Sequence, residues 1–286
     1  MCRLLTYHGR KININKLLYE PKNSLIKQSF EARELDEPLN GDGFGLGWFV
    51  PDVSQEPVVF VSVYPAWNNR NLRSIAPKIE TESFMAHVRA ASVGNVSEAN
   101  CHPFQYGDLL MAHNGGVEDF SKIKRALRQR LDDELYLWIK GETDSEHLFA
   151  LFLQHFKSRQ SIAYNADDIT DALRAMVIDL DELMLSHGIK DPAYLNMAVS
   201  DGRRMVAMRY VSDPTEKPLT LYYSEGSRYE CIDGVCHMIP ANEDEHSVLI
   251  VSEKLTDFAE DWRPVPPNYF ITVYKDLSIK LQPVIL

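Results

Sequence analysis

Short apolar runs bounded by polar or turn-forming residues dominate the first part of the chain, and this pattern predicts β-strands. Two stretches with apolar residues three and four positions apart interrupt them and predict helices over residues 14–21 and 24–35. A glycine-rich passage over residues 37–52 predicts a turn followed by a strand. The other strands predicted in this part are CRLLTY (2–7), PVVFVSVY (57–64), SFMAHVRA (83–90) and DLLMAHNG (108–115).

The middle of the chain follows a helical pattern, with apolar residues three and four positions apart and polar faces between them. The predicted helices span residues 120–139, 145–159 and 168–188. The last of them begins after Asp167 and Asp168, acidic residues that favour a helix N-terminus. From Leu195 the strand pattern returns, first as a hairpin that turns at Asp201 and Gly202. The remaining predicted strands are LTLYYSE (219–225), SVLIVSE (247–253), YFITVYK (269–275) and SIKLQPVIL (278–286).

The order of strands, then helices, then strands, with enough strands for two sheets, predicts an α+β fold. At 286 residues, with 45% hydrophobic and 25% charged residues, the chain can bury a full core without covalent staples. No repeat, low-complexity tract or flexible linker divides it, so we expect one domain over residues 2–286.

The net charge is −11, from 30 basic and 41 acidic residues with the nine histidines counted as neutral. An acidic surface argues against nucleic acid or an anionic membrane as the main partner. No apolar run approaches the roughly 20 residues that span a bilayer, and the N-terminus turns polar after Tyr7, unlike a secretory signal. We therefore expect a cytoplasmic protein with free thiols.

The chain has four cysteines, Cys2, Cys101, Cys231 and Cys236. The last two, next to His237, could suggest a metal site, but the spacing C-x4-C-H has no second ligand pair nearby. Ordinary buried thiols are the favoured interpretation. We expect neither a metal nor an organic cofactor.

Cys2 stands directly behind the initiator methionine, at the start of the first apolar strand. If Met1 is removed, this residue carries both a thiol and the free α-amine of the chain. An α-amine has a pKa of about 8, so it can take the thiol proton directly or through a water molecule. A nucleophile and its base would then belong to one residue.

Further segments contain candidate site residues, each of which has an ordinary structural explanation when taken alone. Arg89 ends an apolar strand, where an arginine is often a solvated edge charge. Asn114 and Gly115 end the next strand and fit a tight turn. His102 fits a packed core or loop histidine, and Asp144 precedes a predicted helix and fits an N-cap.

Together these residues match the requirements for cleaving a γ-glutamyl amide. Cys2 can supply the nucleophile and the base, and the Asn114 side chain with the Gly115 backbone N–H can form an oxyanion hole. The glutamate head has an α-carboxylate that Arg89 can hold bidentately, and an α-ammonium that Asp144 can pair with. A small γ-glutamyl compound is therefore the expected substrate.

Five motifs in order resemble those of the class II glutamine amidotransferases, which are N-terminal nucleophile hydrolases. The resemblance implies that Cys2 is the nucleophile and that Arg89, in HVRAAS (87–92), binds the α-carboxylate. The glycine-rich passage resembles the family's loop beside the nucleophile, with Asp42 at its acidic position. The other motifs are NCHP (100–103), whose His102 is assigned to substrate binding, HNG (113–115), which carries the oxyanion hole, and TDSE (143–146), whose Asp144 holds the α-amino group.

The chain departs from the large amidotransferases of this family. They have an Arg-Gly pair before the acidic position, where this chain has Leu39-Asn40-Gly41, and a Trp where it has Ala90. They usually carry a synthase domain that consumes the ammonia, and we expect none in this chain. The segments MCRLLTYHG (1–9), NSLIKQSFEAREL (23–35) and NGDGFGLGW (40–48) look most like a stand-alone subgroup. That subgroup includes a glutathione-degrading amidotransferase subunit and the γ-glutamyl hydrolase of ergothioneine biosynthesis.

The resemblance implies a four-layer αββα sandwich, in which two antiparallel sheets lie between helix layers. It also implies attack by Cys2 on the γ-carbonyl, release of the amine, and hydrolysis of a γ-glutamyl thioester. One alternative is a glutaminase that donates ammonia to a synthase on a separate partner chain. Another is a non-catalytic regulatory subunit with the same fold, which the intact motifs disfavour.

Overall fold

The computed structural model describes residues 2–34, 39–91, 94–159, 164–232, 234–240 and 246–284. The α-helices in these residues are α1 (Asn15–Leu18), α2 (Leu25–Glu31), α3 (Arg70–Ile75), α4 (Phe120–Arg128), α5 (Asp133–Trp138), α6 (Asp144–Arg159) and α7 (Ala166–Ser186). The strands are β1 (Arg3–Asn13), β2 (Phe44–Trp48), β3 (Val58–Ser62), β4 (Glu80–Val88), β5 (Phe104–Tyr106), β6 (Leu109–Gly116), β7 (Tyr194–Ser200), β8 (Met205–Val211), β9 (Tyr222–Gly226), β10 (Arg228–Ile232), β11 (Val235–Ile239), β12 (Ser247–Val251), β13 (Arg263–Pro264), β14 (Tyr269–Val273) and β15 (Ile279–Pro283).

The strands form two antiparallel sheets and a separate hairpin. The first sheet has the order β13-β9-β12-β1-β4-β2-β3, so β1 lies inside it between β12 and β4. The second sheet has the order β15-β14-β8-β7-β6-β5. The chain order of the strands differs from their order in the sheets, because β1 pairs with strands that come much later in the sequence.

Successive residues of one strand reach different cores, which shows how the layers stack. Leu4 of β1 and Ala112 of β6 belong to a core shared by the two sheets. Leu5 instead packs in a core with α1, α2 and α3, and Met111 in a core with α4 to α7. Helices therefore cover the outer face of each sheet, and the αββα sandwich implied by the resemblance is confirmed.

Helix α7 begins two residues earlier than predicted, at Ala166. Its N-cap is Asn165, whose side chain accepts hydrogen bonds from the backbone N–H groups of Asp167 and Asp168, while the Asp168 carboxylate accepts one from the Asn165 N–H. This reciprocal pair is a capping box. The two aspartates thus lie within the first turn, where the helix dipole favours them, and do not precede the helix.

The stretch predicted as one helix over residues 120–139 is two helices, α4 and α5. The two helices are separate because the Asp132 carboxylate starts a new helix. It caps α5 by accepting the Leu135 N–H at 2.8 Å. Helices α1 and α2 are shorter than predicted. Leu35, at the end of the predicted second helix, lies outside the described residues, as do residues 285–286 of the last predicted strand.

The hairpin of β10 and β11 and the short helix α3 were not predicted. Cys231 and Cys236 face each other across the hairpin and form a disulfide, with Cα atoms 4.0 Å apart. The expectation of free thiols is wrong for this pair, because antiparallel pairing brings the two side chains together on one face. The disulfide also uses both sulfurs of the alternative metal site, while Nδ1 of the neighbouring His237 lies 3.3 Å from the Asp261 carboxylate.

No helix in the described parts of the chain combines the length and the apolar character needed to cross a bilayer. The single domain over residues 2–286 and the cytoplasmic location stay predictions.

Candidate active site

Cys2 lies directly before β1, beside the end of β4. The pairing of Arg3 with Val88 sets this position, because Ala90 follows two residues after Val88. The Cys2 Sγ lies 3.4 Å from both the backbone nitrogen and the carbonyl oxygen of Ala90. The thiol therefore sits against the backbone of the residue that follows Arg89.

Burial raises the pKa of the Cys2 thiol above its ordinary value. The Ala90 N–H and the Arg89 cation lower this pKa and the Asp144 carboxylate raises it, and the net shift is upward. The thiol is thus protonated at neutral pH and requires a base before it can attack a carbonyl. Because both charges act on the thiol, Arg89 and Asp144 lie in one electrostatic neighbourhood with Cys2.

The glycine-rich passage holds the backbone on both sides of Arg89. The Arg89 N–H donates to the Gly43 carbonyl, and the Arg89 carbonyl accepts the Asp42 N–H, each at 2.9 Å. The Asp42 carboxylate accepts the Ala91 N–H at 2.8 Å. The buried guanidinium donates to the Asn95 carbonyl at 3.3 Å. Arg89 is therefore no solvated edge charge, and the passage lies beside the nucleophile as the resemblance implies.

Two glycines of this passage are required by close contacts. Gly43 has φ +113°, and a Cβ there would lie 2.8 Å from both the Cys101 Sγ and the Ser62 carbonyl oxygen. A Cβ on Gly45 would lie 2.2 Å from the His102 carbonyl oxygen. The NCHP segment thus packs directly on the backbone of β2, which only glycine permits at these positions.

Asn114 and Gly115 lie in the last part of β6 and not in a tight turn, since Asn114 pairs with Asn196 and Gly115 with Leu195 of β7. Gly115 has φ +151°, and a Cβ there would lie 1.9 Å from the Tyr194 carbonyl oxygen. The Asn114 side chain is buried, and its Oδ1 has no hydrogen-bond partner among the described residues. An unpaired buried acceptor is unusual, but an oxyanion hole uses the amide Nδ2, which is the donor atom of this side chain.

Asp144 is the first residue of α6 and is buried. Its Oδ1 accepts the Ser145 N–H at 2.7 Å, and its Oδ2 accepts the Val117 N–H at 2.9 Å. Thr143 caps the helix by accepting the Glu146 N–H at 3.2 Å, so Asp144 is not the cap itself. A carboxylate has about four acceptor positions, so capacity for an ammonium donor is left. The contact with Val117 ties Asp144 to the end of β6.

His102 lies in a stack of buried rings, 4.2 Å from the His87 ring and 4.6 Å from the Phe104 ring. Burial lowers the pKa of His102 well below its ordinary value and lowers that of His87 to about 3, so both rings are neutral. His113 bonds Ser145 through Nδ1 at 2.9 Å and thereby links β6 to α6. The substrate-binding role of His102 stays a prediction. Its packing against His87 and Phe104 suits a structural role beside the site.

Two buried charged residues near Cys2 were missed by sequence reasoning. Arg3 and Glu253 form an ion pair directly behind the nucleophile position, with each side chain 1% exposed. The sequence carries only a weak signal for this pair, because Arg3 is simply an arginine in one predicted apolar strand and Glu253 a glutamate at the end of another. Ser92, the last residue of the HVRAAS motif, lies outside the described residues.

The chain matches proteins of known family over nearly its whole length. A family model described as glutamine amidotransferases class-II matches residues 1–281. The chain is 38% identical to a probable glutamine amidotransferase of Saccharomyces cerevisiae, DUG3, over all of this chain and 85% of the yeast protein. It is 28% identical to the gamma-glutamyl-hercynylcysteine sulfoxide hydrolase of Mycolicibacterium smegmatis, over 72% of this chain and 78% of that protein.

Solved structures show the same fold. A glutamine aminotransferase class-II domain protein from Silicibacter pomeroyi superimposes with a TM-score of 0.69 at 26% identity, over 98% of this chain and 97% of that one. The glutamine phosphoribosylpyrophosphate amidotransferase of Bacillus subtilis matches with a TM-score of 0.61 at 14% identity, over 99% of this chain and 49% of that one. The chain belongs to the class II glutamine amidotransferases, a family of enzymes.

Proposed function

We propose that this protein hydrolyses a γ-glutamyl amide through a γ-glutamyl thioester on Cys2. The observation that carries the proposal is the position of the Cys2 Sγ, 3.4 Å from the backbone nitrogen of Ala90 and thus directly after the buried Arg89. The opposite charges of Arg89 and Asp144, both of which act on the Cys2 thiol, match the two charged groups of a glutamate head. The contact of Asp144 with Val117 sets this neighbourhood next to the strand that carries Asn114.

The nucleophile requires a base, because burial keeps the Cys2 thiol protonated at neutral pH. Once Met1 is removed, the α-amine of Cys2 takes the thiol proton, and the sulfur attacks the γ-carbonyl carbon. The Asn114 side-chain amide and the Gly115 N–H donate to the oxygen that becomes negative. The intermediate collapses, the amine leaves with the proton, and water hydrolyses the thioester to release glutamate. These steps use no cofactor.

Arg89 and Asp144 fix the substrate by its head. The Arg89 guanidinium forms two parallel hydrogen bonds to the α-carboxylate, for which its planar fork is suited. The Asp144 carboxylate accepts from the α-ammonium with its remaining acceptor capacity. Both residues are buried, so these charge-assisted bonds form away from bulk water and orient the γ-carbonyl toward Cys2.

The leaving amine distinguishes two versions of the proposal. The mycobacterial relative is a hydrolase of a γ-glutamyl compound that contains sulfur, which favours a γ-glutamyl thiol compound or peptide as the substrate here. The yeast relative is a probable glutamine amidotransferase, which favours glutamine and ammonia release, with a separate subunit as acceptor.

A panel of γ-glutamyl substrates tests the proposal. Purified protein is incubated with glutamine, glutathione and γ-glutamyl-cysteine, and glutamate is measured together with ammonia or the released amine. Cys2→Ala is the matched control, since it removes the sulfur from a small side chain. We expect glutamate and one leaving amine in equal amounts from wild type and none from Cys2→Ala. Turnover by Cys2→Ala would contradict the proposal.

A further inference from the structure

The ion pair between Arg3 and Glu253 contacts the nucleophile residue through its backbone. Arg3 Nε donates to Glu253 Oε2 at 2.8 Å, and Arg3 Nη1 donates to the Cys2 carbonyl oxygen at 3.1 Å. Nη2 also lies 2.8 Å from Oε2, but it is poorly aligned for a hydrogen bond, so the directed bond is that of Nε. The Arg3 guanidinium therefore bridges the Glu253 carboxylate and the Cys2 carbonyl oxygen.

Glu253 accepts hydrogen bonds from several elements at once. Its Oε1 accepts the Asn23 side-chain amide at 2.9 Å and the Arg33 N–H at 3.0 Å, and its Oε2 accepts the Glu34 N–H at 3.2 Å. A buried charge is costly unless it is paired and fully hydrogen-bonded, and this carboxylate meets both conditions. Such a charge fixes the relative positions of all the groups that surround it.

The same contacts continue toward the loop that holds Arg89. The Gln28 side chain donates to the Glu253 backbone carbonyl at 3.3 Å, and the Gln28 carbonyl accepts the Asn40 side-chain amide at 3.1 Å. Two residues later Asp42 accepts the Ala91 N–H, next to the residue that touches the Cys2 Sγ. The hydrogen bonds and short chain segments thus form a closed ring that begins at the Cys2 carbonyl and returns to its sulfur.

We infer that Glu253, acting through Arg3, is a positioning residue that sets the orientation of Cys2 for attack. The inference rests on the proposed role of Cys2 as nucleophile and goes beyond it, because neither residue touches the substrate in that mechanism. The thiol and the α-amine of Cys2 can change direction by rotation about its backbone bonds. The hydrogen bond from Arg3 Nη1 to the Cys2 carbonyl oxygen restricts that rotation. Displacement of a reacting group by about 1 Å can cost roughly 100-fold in rate.

The test compares Arg3→Lys and Glu253→Gln with wild type in the full-length protein. A lysine keeps the positive charge beside Glu253, but its single ammonium cannot span two partners as the guanidinium fork does. We expect kcat per active site to fall roughly 10- to 100-fold in each variant, with KM changed less than about threefold. Active sites are counted by stoichiometric labelling of Cys2 with a diazo-ketone glutamine analogue, so unfolded molecules do not contribute.

Asp201→Asn is the matched control. Asp201 is also buried and ion-paired, to Arg204 at 2.7 Å, but it lies at the β7–β8 turn. That turn is at the opposite end of β7 from Tyr194, which contacts Gly115. We expect this variant to lower the melting temperature while kcat per active site stays at the wild-type value.

Two outcomes would overturn the inference. One is wild-type kcat per active site in Arg3→Lys, which applies even if Glu253→Gln does not fold. The other is an equal loss of kcat in Asp201→Asn, which would mean that any lost buried ion pair has this effect. Failure of the proposed function is distinguishable, because it would appear as turnover by Cys2→Ala, whatever the Arg3 and Glu253 variants do.

Discussion

The four cysteines lie in two regions with different chemistry. Cys231 and Cys236 form a disulfide on the hairpin of β10 and β11, which belongs to neither large sheet. Cys2 and Cys101 are free thiols near the Arg89 segment; burial raises the pKa of each, and the Arg89 cation opposes that shift. The same residue type is thus structural in one region and a candidate nucleophile in the other.

The two free thiols also differ from each other in their surroundings. Burial raises the pKa of Cys101 to about 11, and its sulfur contacts the Ser62 and Ser97 carbonyl oxygens behind Gly43. Cys2 is only partly buried as a residue, and its own α-amine can serve as its base. Reactivity therefore depends on access and on a nearby base, more than on the presence of a thiol.

The largest effect is expected for Cys2. Cys2→Ala removes the nucleophile, and kcat/KM on the best γ-glutamyl substrate should fall roughly 10⁴-fold or more, as for other enzymes that lose a covalent nucleophile. Cys101→Ala should stay within about threefold of wild type, because this thiol only packs. Circular dichroism checks folding in both. A comparable loss in both variants would erase the distinction between the two thiols.

The charged residues beside Cys2 should give the next largest effect. Arg89→Lys loses the planar fork, and Asp144→Asn loses the charge that pairs with the ammonium. Each should cost about 2–5 kcal/mol in transition-state binding, roughly 30- to 5,000-fold in kcat/KM. The hairpin offers a control in Arg228→Lys, since Arg228 pairs with Glu230 at 2.6 Å. Near-wild-type kinetics in Arg89→Lys or Asp144→Asn would remove that residue from the site.

The pH dependence of Cys2 labelling sharpens the comparison further. Because burial raises the pKa of its thiol, the reactive thiolate is a minor form at neutral pH and increases with rising pH. The iodoacetamide labelling rate, measured by peptide mapping, should rise about tenfold per pH unit from pH 6 to 8. Cys101 should label more slowly throughout. A rate for Cys2 that is flat over this range would indicate a thiolate already formed at pH 6.

The smallest effect on activity is expected at the disulfide. The double variant Cys231→Ser/Cys236→Ser opens a covalent loop whose ends are separated by 5 residues in sequence. The chain-entropy model gives a loss of about 2 kcal/mol in the free energy of unfolding for so short a loop. Urea denaturation measures this loss, and kcat/KM should stay within about twofold. A large loss of activity would connect the hairpin to the site.

Local sequence signals predicted local structure well. The apolar strand runs and the Asp201-Gly202 turn predicted the β7–β8 hairpin, and Gly202 has the positive φ, +80°, that such a turn requires. Periodicity also predicted α6 and α7. It could not predict which strands pair, because β1 contacts β4 and β12 across long stretches of chain and register depends on tertiary packing.

The residues of the candidate site also fall into a group that the sequence predicted and a group that it did not. Cys2, Arg89 and Asp144 were predicted because the reaction needs their chemical groups and the motifs occur in the family order. Arg3 and Glu253 were missed because a buried ion pair between residues 250 positions apart leaves no local pattern. Cys231 and Cys236 were misjudged because the hairpin that joins them was not predicted, so nothing indicated that their side chains meet.

The most direct test of the proposed mechanism detects the covalent γ-glutamyl thioester on an N-terminal Cys2. Wild-type protein is mixed with its best γ-glutamyl substrate, quenched with acid within the first turnover, and analysed by peptide mass spectrometry. We expect an N-terminal peptide that begins at Cys2 and carries one glutamyl group, and we expect no such group in Cys2→Ala. A glutamyl group on Cys101, or active protein that retains Met1, would contradict it.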